Sequence, residues 1–243
     1  MSYEVAGTLK DYFSSISATL ENVPLDRISG ALAVLDGARM RGSRVYIFGN
    51  GGSAATASHF ACDLTKGAIC SGAPKMKVHA LVDNTPVFSA WGNDAGYETV
   101  FAEQLRGIIE PGDIAVAISG SGNSPNVLEG VKVARESGAI TVGFSGFDGG
   151  KLPELVDIAI VVPNQCMEQV EDIHLALTHA MAICLRQMHS KVMVVTKDPQ
   201  ELEEIARGYL EGGRYWKTAQ SYQANKLNQT RRPSPVTLQK VTY

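Results

Sequence analysis

From Arg44 onward, five short runs rich in β-branched residues recur, separated by stretches with helical spacing: Val45–Phe48, Lys77–Val82, Ile114–Ile118, Ile140–Phe144 and Ile158–Val162. Runs this apolar, without the alternation of a half-wetted sheet, predict strands buried on both faces. Because they alternate with helices, right-handed crossovers follow, and the pattern predicts a mostly parallel five-stranded sheet in an α/β, doubly wound fold. Two helices precede it. Val5, Leu9, Tyr12, Phe13, Ile16 and Leu20 recur at helical spacing, as do Ile28, Leu32, Leu35 and Ala38, with Pro24 and Gly42 as punctuation.

A last helix is predicted over about Met167 to Met188, where Val170, Ile173, Leu177, Ala180 and Cys184 make one stripe. Leu175, Met181, Ala182 and Ile183 render its other faces apolar too, which implies burial by a second subunit as well as by its own sheet. After about Lys191 the character shifts. Pro199 to Glu211 reads as a short acidic helix, while Gly212 to Tyr243 holds six of the 22 basic residues and none of the 25 acidic ones. The division predicted is a domain over 1–190 and an extension over 191–243, whose basic tail is disordered or straps onto an acidic neighbour.

A net charge of -3 excludes wholesale electrostatic binding to nucleic acid or anionic lipid, so a small-molecule partner is expected and no nucleic acid. No apolar run approaches the roughly 20 residues of a bilayer span, and Met1 to Leu20 lacks the basic start and apolar block of a signal peptide; no membrane is expected. Cys62, Cys70, Cys166 and Cys184 form no CxxC pair. That argues against a zinc ribbon or disulfide framework and for a reducing, cytoplasmic setting.

Two loops can hold an anion. Gly49-Asn50-Gly51-Gly52-Ser53-Ala54 follows the first strand and opens a helix, where free backbone N–H groups and the helix dipole attract negative charge. Its spacing also fits a loose dinucleotide fingerprint, GxGxxA, but Asp83 stands about 30 residues on, where that fold wants an acidic residue about 20 on. The third strand ends in Ser119-Gly120-Ser121-Gly122-Asn123-Ser124-Pro125, in which Ser124 is placed to cap the next helix and Pro125 its first turn. Hydroxyls and glycines at a helix start make an oxygen-binding cup without fixed positive charge. Together the loops can close over one phosphate group.

On the helix after the first loop, His59 and Asp63 are four residues apart and share a face, a spacing that can chelate a metal. On the late helix Glu171 and His179 are eight apart, two turns along, and both can reach one centre. A late helix buried on all sides has to satisfy such polar groups, since unpaired ones are costly. His79, His174 and His189 receive no role, and Trp91 and Trp216 are read as packing residues.

GNGGS followed by SGSGNS, in a five-stranded α/β unit behind two helices, resembles the sugar isomerase (SIS) domain. With His59-Phe60-Ala61, Gly92-Asn93-Asp94-Ala95-Gly96 and Ser119 to Asn126 added, residues 1–188 resemble the sedoheptulose 7-phosphate isomerase (phosphoheptose isomerase) family. The resemblance implies a flavodoxin-like SIS fold and a sugar phosphate held by Asn50, Gly51, Gly52, Ser53, Ser119, Gly120, Ser121 and Ser124, with Asn93, Asp94 and Glu171 also on the substrate. It implies Zn2+ bound by His59, Asp63, Glu171 and His179, with Asp63 as base and His179 as acid. Asp63 stands where the family has Glu, and Glu171 where it has Gln, so either carboxylate is a candidate base. The implied reaction is ketose–aldose interconversion through an enediol in a homotetramer with shared active sites. A non-catalytic SIS protein, an adaptor of a replication initiator or a phosphosugar sensor, is the alternative.

Overall fold

The computed structural model describes residues 2–189, so the acidic helix and basic tail expected beyond Lys191 lie outside the described residues. Helices α1 (Ser2–Leu20) and α2 (Leu25–Arg41) lead into strand β1 (Arg44–Gly49). Then follow α3 (Gly52–Cys62), β2 (Lys77–Ala80), α4 (Thr85–Asp94), α5 (Val100–Leu105), β3 (Ile114–Ile118) and α6 (Pro125–Glu136). Strand β4 (Ile140–Ser145), α7 (Leu152–Leu155), β5 (Ile158–Val161) and α8 (Met167–Met188) complete the unit. All strand pairs are parallel, in the order β2-β1-β3-β4-β5. That is the flavodoxin-like order, in which the strand order reverses between β1 and β3 and leaves a crevice at their carboxyl ends.

Side-chain alternation along the strands divides the core in two. Val45, Ile47, Ile114, Val116 and Ile118 point to the face covered by α2, α3 and α8. Tyr46, Phe48, Ala115 and Ala117 point to the face covered by α5 and α6. The small alanines on that second face let α6 approach closely, and its Gly130 sits where a side chain would strike Phe48 and Phe101. Central strands are buried, whereas β2 at the sheet edge is half exposed.

Helix α8 forms where predicted, with a different inner stripe. Val170, Ile173 and Leu177 are buried, but Met181 and Leu185 replace the expected Ala180 and Cys184, which face outward. A helix turns by 3.6 residues, so alternating steps of three and four drift off the buried line over about four turns. Nor is α8 covered on all sides by its own chain: Ile183 and Met188 are exposed. Helix α1 likewise turns Val5, Leu9 and Phe13 outward, while Ser15 holds Gln169 (2.7 Å) and Asn164 holds Thr19 (2.8 Å) on its inner side. No helix among the described residues is long and apolar enough to cross a membrane.

Candidate active site

The first loop and the third-strand loop meet at the carboxyl ends of the neighbouring strands β1 and β3. Gly51 takes a positive φ of 55°, a conformation that glycine adopts without penalty, and Gly52 and Ser53 open α3 with no side-chain cap. The amides at that helix start are therefore left for an outside acceptor. Ser124 occupies the N-cap position of α6, yet its Oγ makes no capping bond and lies 3.1 Å from Ser119 Oγ. This departs from the expected cap: the two hydroxyls pair across the loop, and at the start of α6 the Val127 amide is taken instead by Asn126 Oδ1 at 2.9 Å. Gly120 packs against Met167, and Gly122, at φ 65°, leaves no room for a side chain beside Gly149.

Asn50 differs from its neighbours. Its amide forms a reciprocal pair with buried Asn126, at 2.8 and 2.9 Å, and its Oδ1 also accepts the Tyr97 hydroxyl at 2.9 Å. The side chain is thus occupied in joining the two loops, and what it leaves for a ligand is mainly its backbone. Asn126 and Tyr97 were not singled out from the sequence. A buried amide at the second position of a helix behind Ser-Pro could have flagged Asn126, whereas nothing local marks Tyr97. Asn93 and Asp94 end α4 and are exposed, with Asn93 Nδ2 donating to Asp94 Oδ1 at 2.7 Å. Helix α4 buries none of its residues. Asn84 caps it (3.3 Å to Val87 N), and Tyr97, just beyond it, connects it to the cup.

The second part of the site is made by α3 and α8, which lie side by side and run in the same direction. Gly52 meets the Glu171 carboxylate near their starts, and His59 meets His179 further down. Directly after α3 the helix widens into a π-turn over Asp63–Gly67, in which Ala68 N bonds back to Asp63 O at 2.7 Å. Such single wide turns recur at functional sites because they re-aim a side chain without ending the helix. His59 Nε2 and His179 Nε2 are 2.8 Å apart, and Asp63 Oδ2 is 3.6 Å from each.

That carboxylate oxygen is buried and has no hydrogen-bond partner. Three donor atoms aimed at one point, one of them an orphaned anionic oxygen, fit a divalent cation, since tetrahedral zinc would hold such atoms about 3.3 Å apart. The imidazole side chains are about half exposed, 48% and 47%, which leaves the point open to a ligand. His59, Asp63 and His179 are thus brought together as the sequence suggested. Glu171 is not among the converging donors. Eight residues of α8 separate it from His179 by about 12 Å of helix rise, and it lies at the Gly52 end instead.

His174, between these two, is fully buried. Its Nε2 lies 3.1 Å from Ser145 O and its ring stands edge-on to Phe144. Burial pushes its pKa from 6.5 down to about 4, against a smaller opposing effect of the Ser145 carbonyl, so it is a neutral anchor of α8 on β4.

The SIS domain family model matches residues 11–146, more than half of the chain. This chain therefore belongs to the SIS domain family. Among curated relatives, a phosphoheptose isomerase of Mycobacterium bovis is 38% identical over 182 residues, 73% of this chain and 92% of that one. One from Aquifex aeolicus is 37% identical over 147 residues, 60% of this chain and 76% of that one. Of solved structures, the phosphoheptose isomerase from Neisseria gonorrhoeae aligns with a TM-score of 0.70 at 31% identity, covering 76% of this chain and 98% of that one. Within the SIS proteins the chain is a member of the phosphoheptose isomerase family, and by that membership an isomerase enzyme.

Proposed function

We propose that this chain interconverts sedoheptulose 7-phosphate and a heptose 7-phosphate, an aldose–ketose isomerisation of a phosphosugar. The observation that carries this reading is the arrangement along α3: free amides at one end, and His59, Asp63 and His179 converging further along. Seven residues from Gly52 to His59 advance about 10 Å. An extended seven-carbon chain with its terminal phosphate is also on the order of 10 Å, at about 1.25 Å per carbon–carbon bond. A sugar with its phosphate in the cup brings its carbonyl end to the histidines.

The cup binds the phosphate through the amides of Gly51, Gly52 and Ser53 and the hydroxyls of Ser119, Ser121 and Ser124, with Gly120 allowing close approach. Asn93 and Asp94 contact the hydroxyls in between, and Glu171, at the Gly52 end, the one nearest the phosphate. The Asp63 carboxylate takes the proton from C1, next to the C2 carbonyl, which gives the enediol, and returns it to C2. His179 moves the hydroxyl proton between the two oxygens, so the reaction balances without a co-reactant. His59, Asp63 and His179 hold a divalent ion, zinc by the donor set, which supplies positive charge to polarise the substrate oxygens.

Further parts of the reading are a domain over 1–190 with an extension over 191–243, a cytoplasmic location, and a homotetramer. Four free thiols support the location. The outward apolar residues of α1 and the unburied α4 support burial by other copies. The test is turnover of purified full-length protein on heptose, hexose and pentose phosphates, with and without a chelator. Activity on the heptose that is lost with the chelator is expected. Metal-loaded protein inert toward all three sugars would remove the proposal.

A further inference from the structure

Arginine 39 lies in the last turn of α2, and its side chain is only 1% exposed. A buried guanidinium is costly unless well paired, and an apolar residue of the same volume would usually fill such a place at less expense. Its pairing is poor by the usual measure. The nearest carboxylate oxygen, Asp36 Oδ1, is 4.0 Å away, and both Asp36 oxygens are already engaged by His189 Nε2 at 2.8 Å. Arg39 Nε has no partner.

The fork of the guanidinium instead reaches two main-chain carbonyls on two different elements. Nη2 donates to Ala68 O at 2.8 Å, directly beyond the π-turn that begins with Asp63. Nη1 donates to Leu185 O at 3.1 Å, in the last turn of α8, two turns beyond His179. Carbonyls at helix ends carry partial negative charge and lack intrahelical donors, so a cation suits both. Arg186 adds a second tie from α8 to the same turn, from its Nη1 to Gly67 O at 3.2 Å.

We propose that Arg39 is a positioning residue, which fixes the end of the π-turn against α8 so that Asp63, His59 and His179 meet at one point. Apolar packing sets the spacing of two helices but resists sliding weakly, whereas a site of this kind tolerates displacements of only about 0.5 Å. The other end of the helix pair already has its own contact, Glu171 on Gly52. Arg39 holds the far end, and its planar fork fixes direction as well as distance, which a point charge does not. This inference rests on the reading of those three side chains as one centre.

The experiment titrates cobalt(II) alone into full-length protein and follows its visible absorption, beside steady-state kinetics on sedoheptulose 7-phosphate. In Arg39→Met, cobalt affinity is expected to fall about 10- to 100-fold, the loss typical when support behind metal ligands is removed. The kcat should fall with KM nearly unchanged, because the phosphate cup lies at the other end. Arg39→Lys keeps the charge but lacks the fork, and an intermediate loss of cobalt affinity is expected.

Folded Arg39→Met protein, by circular dichroism, with cobalt affinity and kcat within about twofold of wild type would overturn the proposal. Should Arg39→Met not fold, Arg39→Lys decides on the same criterion. Wild-type protein that binds cobalt without turning over the sugar removes the isomerase reading and leaves this one to the cobalt arm. Wild-type protein that binds no cobalt overturns this one, whatever its turnover.

Discussion

The two ends of the α3–α8 pair present groups of two different kinds. At the Gly52 end the groups on offer are mainly backbone amides and short hydroxyls, placed by the local turn that each loop makes between strand and helix. At the His59 end they are side chains from two helices that are 120 residues apart in the sequence and must agree in register. A site made of main chain depends on φ and ψ at a few glycines and tolerates changes in side-chain chemistry. One made of side chains depends on long-range packing and loses its function with single atoms.

The largest test of that contrast is Asp63→Asn, which removes one anionic oxygen and leaves the shape. Turnover should drop by about 10²- to 10⁴-fold, with KM for the sugar phosphate little changed. Steady-state kinetics on protein of matched metal content measures it, and an unchanged kcat would mean that the base lies elsewhere, Glu171 being next.

Acid should strike both ends together, because His174 holds the helix they share. Its folded-state pKa of about 4 lies below the ordinary 6.5, so the unfolded chain binds the proton first. The stability from keeping it neutral is complete above about pH 6.5, declines as the pH falls, and is gone below about pH 4. The loss is on the order of 3 kcal/mol. Urea unfolding at neutral pH and near pH 4.5 should show it, and His174→Gln should flatten the curve over that interval. A variant as acid-sensitive as wild type would place the titration on other groups.

At the cup, backbone geometry should matter more than hydroxyls. Gly122→Ala puts a side chain at φ 65° against Gly149 and should cost about 2 kcal/mol of stability, read as a lower midpoint in thermal unfolding, with a raised KM. Ser121→Ala should be milder, raising KM about fivefold to tenfold at constant kcat, as loss of about 1 kcal/mol of hydrogen bonding would. If Ser121→Ala proved the worse of the two for KM, the cup would be a side-chain site and the contrast would fail.

The same contrast explains what could be read from the residues alone. The strands and both loops were legible because each is decided within a few residues, by β-branched runs and by glycine and serine at helix starts. His59 and Asp63 were legible as a pair because four residues make one turn. The place of Glu171 was not, since two helices that share a face can still differ in how far along it each side chain reaches. The π-turn at Asp63 leaves no mark in the periodicity, which continues through Phe60, Ala61 and Leu64. Helix α4 buries nothing, so it has no apolar stripe to be read. The burial of Arg39 depends on three elements meeting, and an arginine near Gly42 reads locally as a solvated helix end.

Neither the loop from Gly49 to Ala54 nor that from Ser119 to Asn126 contains a lysine or arginine. As the proposed phosphate holder, such a cup would attract its anion through oriented dipoles, whose pull fades within a few ångströms, and the chain as a whole is mildly anionic. Encounter with a doubly charged metabolite would then be left to diffusion, without long-range guidance, and capture and release should vary little with ionic strength. A holder without fixed positive charge would also let go readily, which suits a reversible step whose two partners carry the same phosphate.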